Sequence, residues 1–521
     1  MAASLFWIAL VTVIYLAVIL ALGYIGYKKT REAEDYLVAG RNAHPVVIAL
    51  SYGATFISTS AIVGFGGQAA NLGMGLIWLT VFNIGVGVLL AFVIFGKKTR
   101  EVGHRLKAIT FPDLMGKVYQ STFMQVASGL VIIVGMPLYS AAVLIGGAQF
   151  IKETLGVSYS IALIGFAVIV AAYVVFGGLI AVMYTDAVQG GIMLAGMTFL
   201  LVFTYTILGG VTRAHEALTA MANLVPAKLA EQGMHGWTVM PDLGSPIWFT
   251  LVTTLVLGVG IGVLAQPQLV VRFMTARDSR SLNRAVLVGG PFILMMTGVA
   301  FTVGALTNVY FYETQGKIAI TAAGGNVDSI IPLFINLATP DWFTVLFMIT
   351  LLAAAMSTLS SLFHAMGTAL ICDVWGRGRE CALSLKANQA GVLVMIGASV
   401  VVAFLMPGSI IAIATAMFMG LCACAFLPVF AVAVYCRQPS AFAAKTSLVV
   451  GALVWTLWAL FVNSRYAAVF GVSKALLGTQ AVLPYPWSAI DPLVIGLPLS
   501  AVTVLLLQHL SSRGQGRGNP S

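Results

Sequence analysis

Residues 51 to 73 read SYGATFISTSAIVGFGGQAANLG. The run is uncharged and long enough to cross a hydrocarbon core of roughly 30 Å, yet it is crowded with small polar residues from Ser51 to Ser60 and then with Gly64, Gly66 and Gly67. Irregular backbone at membrane depth survives only where protein or a water-filled cavity surrounds it. A second stretch, LGVGIGVLAQPQLVVRF from Leu257 to Phe273, has the same character, with Gly258, Gly260, Gly262 and Pro267. Both segments are expected to unwind near their middles.

Their surroundings are apolar throughout. Hydrophobic residues make up 60% of the chain and charged ones 8%, against roughly a quarter charged in an ordinary soluble domain. The expected fold class is therefore an all-α polytopic membrane protein. Apolar stretches recur about thirteen times, at 5–27, 45–70, 74–96, 121–147, 158–176, 186–209, 247–271, 285–309, 341–373, 389–406, 410–436, 446–463 and 490–510. The first is too long for a signal peptide and is followed, not preceded, by Lys28 and Lys29. With the N-terminus outside and the C-terminus cytoplasmic, only Lys152, Arg213, Lys228, Lys317, Arg465 and Lys474 of the 27 Lys and Arg fall on the outer side. That asymmetry reads the formal charge of +10 as topology rather than a nucleic-acid surface. The five cysteines suggest neither a disulfide framework nor a zinc site, and 511–521 reads as a disordered cytoplasmic tail.

By parity the second span runs inward to outward and the seventh outward to inward. Two groups of five, 45–209 and 247–436, are then inverted in the membrane, each opening with a breakable helix, while 1–27 and 446–510 flank them in a single domain of residues 1–521. This arrangement points to a substrate and ion site at the midplane. Glycines also let membrane helices pack closely, but a matched pair in inverted halves favours the site.

The ninth span contains AAAMSTLSSLFHAMGTALICD, Ala353 to Asp373. Ala354, Ser357, Ser361, His364 and Thr368 follow three- and four-residue steps and share a face, with Thr358 and Ser360 beside it. Acidic residues such as Asp186, Asp341, Asp373 and Asp491 fall near span ends, so a proton relay on a mid-membrane carboxylate is not supported. Carbonyls freed by a broken helix, joined by hydroxyls, suit a small monovalent cation instead.

The chain resembles the sodium:solute symporter family over nearly its full length, through YLVAGRN (36–42), GGLIAVMYTDAVQGGIM (177–193), AQPQLVVRFMTARDSRSLNRA (265–285) and AAAMSTLSSLFHAMGTALICDVW (353–375). The resemblance implies a leucine-transporter-type inverted five-helix repeat with flanking helices, alternating access and sodium-coupled uptake. It places the shared sodium site on the carbonyls of Ala54, Ile57 and Ala354 and the hydroxyls of Ser357 and Thr358. A possible second sodium site falls on Asp186, Ser360 and Ser361, although Asp186 also fits a plain helix cap. Sodium is the only metal implied, with no organic cofactor.

Departures from the family's better-known patterns bear on the solute. Phe56, Val259 and Val263 stand where proline-type members carry an Asp and aromatics, and Ser60 and Ala61 where sugar-type members carry Glu and Gln. A mostly apolar cavity lined by Thr55, Phe56, Thr59, Ser60 and Gln266 better suits a monocarboxylate or related small organic acid, with a proline-like amino acid or pantothenate as alternatives. His364 reads as a structural donor or a proton or substrate contact. Arg272 reads as a topological anchor or, through Asp278, as an inner gate. The six histidines are scattered and no catalytic set emerges; a membrane enzyme or a channel is the rival class. The expected partners are a small solute and lipid in a plasma membrane (the inner membrane of a bacterium), without nucleic acid; the sequence leaves the oligomeric state open.

Overall fold

The apolar runs become helices because backbone amides in lipid must find their partners within the segment. The computed structural model describes residues 2–29, 38–41, 43–175, 179–376 and 385–516. In chain order the helices that build the bundle are α1 Ala2–Lys29, α2 Pro45–Phe56 and α3 Ser60–Leu72, α4 Met74–Arg105, α5 Thr122–Leu155, α6 Tyr159–Val174 and α7 Leu179–Ile207. They continue with α8 Pro246–Met274, α9 Ser279–Gln315, α10 Asp341–Trp375, α11 Leu385–Leu405, α12 Ile411–Tyr435, α13 Ala441–Val462 and α14 Pro492–Gly516. Among the described residues no strand forms; one isolated bridge joins Ala43 to Ala276.

Ten of these helices are long and apolar enough to cross a membrane, eleven with the bent α2–α3 pair counted as one span. Shorter apolar stretches, Leu10–Ile25 and Tyr159–Ala172, stand where the first and fifth spans were expected. Three expectations are corrected. The sixth span starts at or before Leu179, seven residues ahead of Asp186, because LIAVMY continues the helix; Asp186 is thus two turns inside and is not a cap. The last helix runs on to Gly516 rather than giving way to a tail at 511. Cys372 is disulfide-bonded, which the cysteine spacing did not indicate.

Local chemistry sets the ends. Ser121 and Asp278 accept the amides of Met124 and Ser281 at the starts of α5 and α9, and left-handed Gly156 and Gly316 close the same two helices. Both predicted breaks are present. The α2–α3 pair bends by 53°, with Ile57 extended at φ −91°, ψ 103°. In α8 a tight turn, Val263–Ala265, leads to extended Gln266, and Pro267 opens the C-terminal part, Pro267–Met274. The glycines are not at the breaks. A Cβ on Gly67 would stand 2.3 Å from the Val327 carbonyl oxygen, and one on Gly262 would stand 2.4 Å from that of Met419. They serve close packing, the bland alternative, while the breaks fall at Ile57 and at the residue before a proline.

Burial ranks the helices from centre to rim: 94% of the apolar window of α10 is inside the protein, against 22% for α14. The hydroxyl-bearing helix therefore has almost no lipid face. Packing partners repeat in a pattern. The α2 helix lies on α7 as α8 lies on α12; α2 and α3 touch α9 as α8 touches α4; α7 lies on α10 as α12 lies on α5; and α4 meets α9 while α5 meets α10. Exchanging the second through sixth spans for the seventh through eleventh reproduces these pairings.

Candidate functional site

Where α2 ends, its last carbonyls lose their helical partners and turn to α10. The Ser357 hydroxyl donates to the Ala54 carbonyl at 2.8 Å and to that of Ala354 at 3.1 Å. The Thr358 hydroxyl donates to the carbonyls of Ala54 at 3.3 Å and Thr55 at 3.0 Å. Four of the five residues of the first expected cation site, Ala54, Ala354, Ser357 and Thr358, thus meet directly, all of them buried. Ile57, the fifth, is the extended residue of the break; its amide still donates to Gly53. The cluster joins a fractured helix to an unbroken one using neutral oxygens only.

One turn further along α10, a different group gathers. Arg272, in the last turn of α8, is 1% exposed and Asp186 of α7 is fully buried; they pair at 3.1 Å. The arginine Nε donates to Ser51 Oγ at 3.0 Å, Nη1 to the Gln268 carbonyl at 2.6 Å, and Nη2 to Thr55 Oγ1 at 2.7 Å and to Ser361 Oγ. Ser51 also donates to Asp186 Oδ2 at 2.7 Å. Removing one member of such a buried pair typically costs about 3–5 kcal/mol, because the other charge is left without compensation. Asp186 and Ser361, expected at a second sodium site, are brought together, but around a guanidinium. Ser360 is not: its hydroxyl bonds back to the Ser357 carbonyl at 3.0 Å. The expected Arg272–Asp278 gate is replaced by the Asp186 pair. Asp278 instead accepts the Ser281 amide at 2.7 Å and its hydroxyl at 2.8 Å, bonds that hold its carboxyl below the usual range.

Two cavities flank this polar layer. One is lined by Phe56, Ile57, Ser60, Phe65, Asn83, Tyr139, Val259, Thr297, Phe301 and Thr415, with Ala61, Leu79 and Met419. The other is bordered by Arg272, Ser361, His364 and Thr368 of α8 and α10, by Ile109 and Thr110, and by Phe111 and Pro112 at the start of the short helix Phe111–Val118. Of the residues expected around the solute, Phe56 and Ser60 line the first cavity. Thr55 turns into the arginine cluster, the Thr59 hydroxyl is spent on the Val143 carbonyl at 2.9 Å, and the Gln266 side-chain oxygen accepts from Gln268. Sequence reasoning missed Asn83, whose buried Oδ1 has no hydrogen-bond partner. It missed Tyr139 as well, whose hydroxyl reaches Ser58 at 3.4 Å. The available signal for Asn83 was its being the single asparagine of the third span. No lining residue of the first cavity is charged, and among the described residues no cluster of His, Cys, Asp and Glu could hold a metal ion.

The site thus lies in a bundle of membrane-length helices, where a broken helix borders an uncharged cavity. The sequence model of the Sodium:solute symporter family matches residues 36–451, and the chain belongs to that family. It is 25% identical over 473 residues to the osmoregulated proline transporter OpuE of Bacillus subtilis (strain 168), covering 89% of this chain and 90% of that protein. It is 27% identical over 453 residues to a sodium/pantothenate symporter of Haemophilus influenzae, covering 85% and 88%. Among solved structures, the substrate-bound outward-open state of a Na⁺-coupled sialic acid symporter superposes with a TM-score of 0.74 at 16% identity, covering 97% of both chains. At that identity the likeness shows the shared fold alone.

Proposed function

We propose that this protein imports a monocarboxylate or related small organic acid across the plasma membrane, driven by sodium moving inward and by alternating access. The observation that carries the reading is the convergence of the Ser357 and Thr358 hydroxyls on the Ala54 carbonyl at the break in α2. A sodium ion there would be held by Ala54, Ile57, Ala354, Ser357 and Thr358, tying the fractured helix to α10. Phe56 and Ile57, at the same break, border the solute cavity, so ion and solute would share one hinge. Coupling then requires only that both ligands prefer the same arrangement of that hinge. The inverted halves are assigned to 45–209 and 247–436, with the N-terminus outside and the C-terminus in the cytoplasm.

Solute preference follows from the cavity lining. Ser60, Asn83, Tyr139, Thr297 and Thr415 offer neutral hydrogen-bonding groups among apolar and aromatic walls, enough to orient a carboxylate whose charge the sodium balances. A proline- or pantothenate-type solute is the second reading, favoured by the named activities of the relatives. The deciding experiment reconstitutes the protein in liposomes and follows labelled acetate, lactate, pyruvate, pantothenate and proline with and without an imposed sodium gradient. Accumulation that survives replacement of sodium by choline or potassium on both faces would end the sodium assignment.

A further inference from the structure

The oxygens around Arg272 form a cation site that the chain fills with its own side chain. The guanidinium collects Ser51 Oγ, Thr55 Oγ1, Asp186 Oδ2, Ser361 Oγ and the Gln268 carbonyl. That is one carboxylate, three hydroxyls and one carbonyl on α2, α7, α8 and α10, as many oxygens as the sodium site proposed at Ala54 and Ser357. The two groups touch. Thr55 gives its carbonyl to Thr358 at 3.0 Å and its hydroxyl to Arg272 at 2.7 Å, and Ser361 donates to the Ser357 carbonyl at 3.1 Å. All the side chains concerned are at most 2% exposed, and Asp186 Oδ1 has no hydrogen-bond partner.

We infer that Arg272 takes the place of a second sodium ion at Asp186, Ser51, Thr55 and Ser361, so that one sodium ion, not two, binds per transport cycle. The physical reason is charge. Two cations sharing one carboxylate in a water-poor layer repel, and the tethered one is always present at a high effective concentration. The same oxygens would accept a sodium ion only if the guanidinium were removed.

The inference rests on the symport reading, and its test keeps the two apart by counting ions without any solute. Purified protein is titrated with ²²Na⁺, and thermal unfolding is followed in sodium and in choline. The wild type should bind one ion per chain with a Hill coefficient near 1. Arg272→Ser, with the carboxylate exposed to the vacated space, should bind two, and its stability should become strongly sodium-dependent. Arg272→Lys, which restores a fixed cation, should return to one. Should the serine variant fail to fold, the neutral pair Asp186→Asn with Arg272→Gln should still bind one. Two ions on the wild type, with one lost in the neutral pair, would overturn the inference while leaving symport standing. One ion on folded Arg272→Ser would show that these oxygens are no cation site. No sodium on the wild type would sink the symport reading itself.

Discussion

Ser357 and Thr358 lie on a helix that is nearly all buried, and each spends its hydroxyl on the end of α2. Hydrogen bonds to charged partners are worth about 1.5–3 kcal/mol each, so Ser357→Ala with Thr358→Ala should raise the half-saturating sodium concentration for uptake at least tenfold, while membrane insertion is unchanged. Unaltered sodium dependence would remove them from the site. For the solute, Phe56→Ala and Asn83→Ala should change the ranking of competing organic acids more than the sodium requirement, whereas Thr59→Ala, whose hydroxyl faces Val143, should leave the ranking as it was. The reverse pattern in competition assays would move the solute elsewhere. The hydroxyl stripe was legible because three- and four-residue steps report a helix face directly. Arg272 was not: it sits one residue past the expected end of its span, beside Phe273 and Met274, and its carboxylate lies 86 positions away in another helix. Linear spacing carries no trace of such a partner. An arginine continuing an apolar helix, rather than opening a loop, was the clue.

At the scale of the element, composition located the two broken spans but not the cause of the breaks. Glycine density drew the eye to Gly64, Gly66 and Gly67 and to Gly258, Gly260 and Gly262, yet these meet neighbouring backbones and side chains. A glycine that permits a bend and one that permits contact look alike in sequence, because only the missing Cβ is recorded. The distinction is measurable. Gly67→Ala and Gly262→Ala each press a methyl onto a carbonyl of another segment, and overpacking of this kind costs about 1–3 kcal/mol; both should lower the unfolding temperature in detergent. Gly85→Ala, with nothing within 4 Å of its new methyl, should not. Equal behaviour of the three variants would contradict the packing role.

For the whole molecule, orientation is the first matter to check. A cysteine introduced at exposed Leu243 (84% exposed) should react with an impermeant maleimide on intact cells, and one at Ser512 only after permeabilisation; the opposite result would invert the topology. Charge balance is the second. Inward movement of one net positive charge gains about 2.3 kcal/mol per 100 mV, but one sodium travelling with one carboxylate carries none. Uptake of labelled lactate should then respond to the sodium gradient and ignore a potassium-diffusion potential set with valinomycin, while a neutral solute would respond to both. The interchange of packing partners between the two halves has a last consequence. If closing one mouth undoes contacts of the same kind as those made in opening its counterpart, neither posture is favoured by much, and nothing in the architecture fixes which way cargo goes. Load the inside of a vesicle with salt and the machine should run in reverse, emptying what it would otherwise fill.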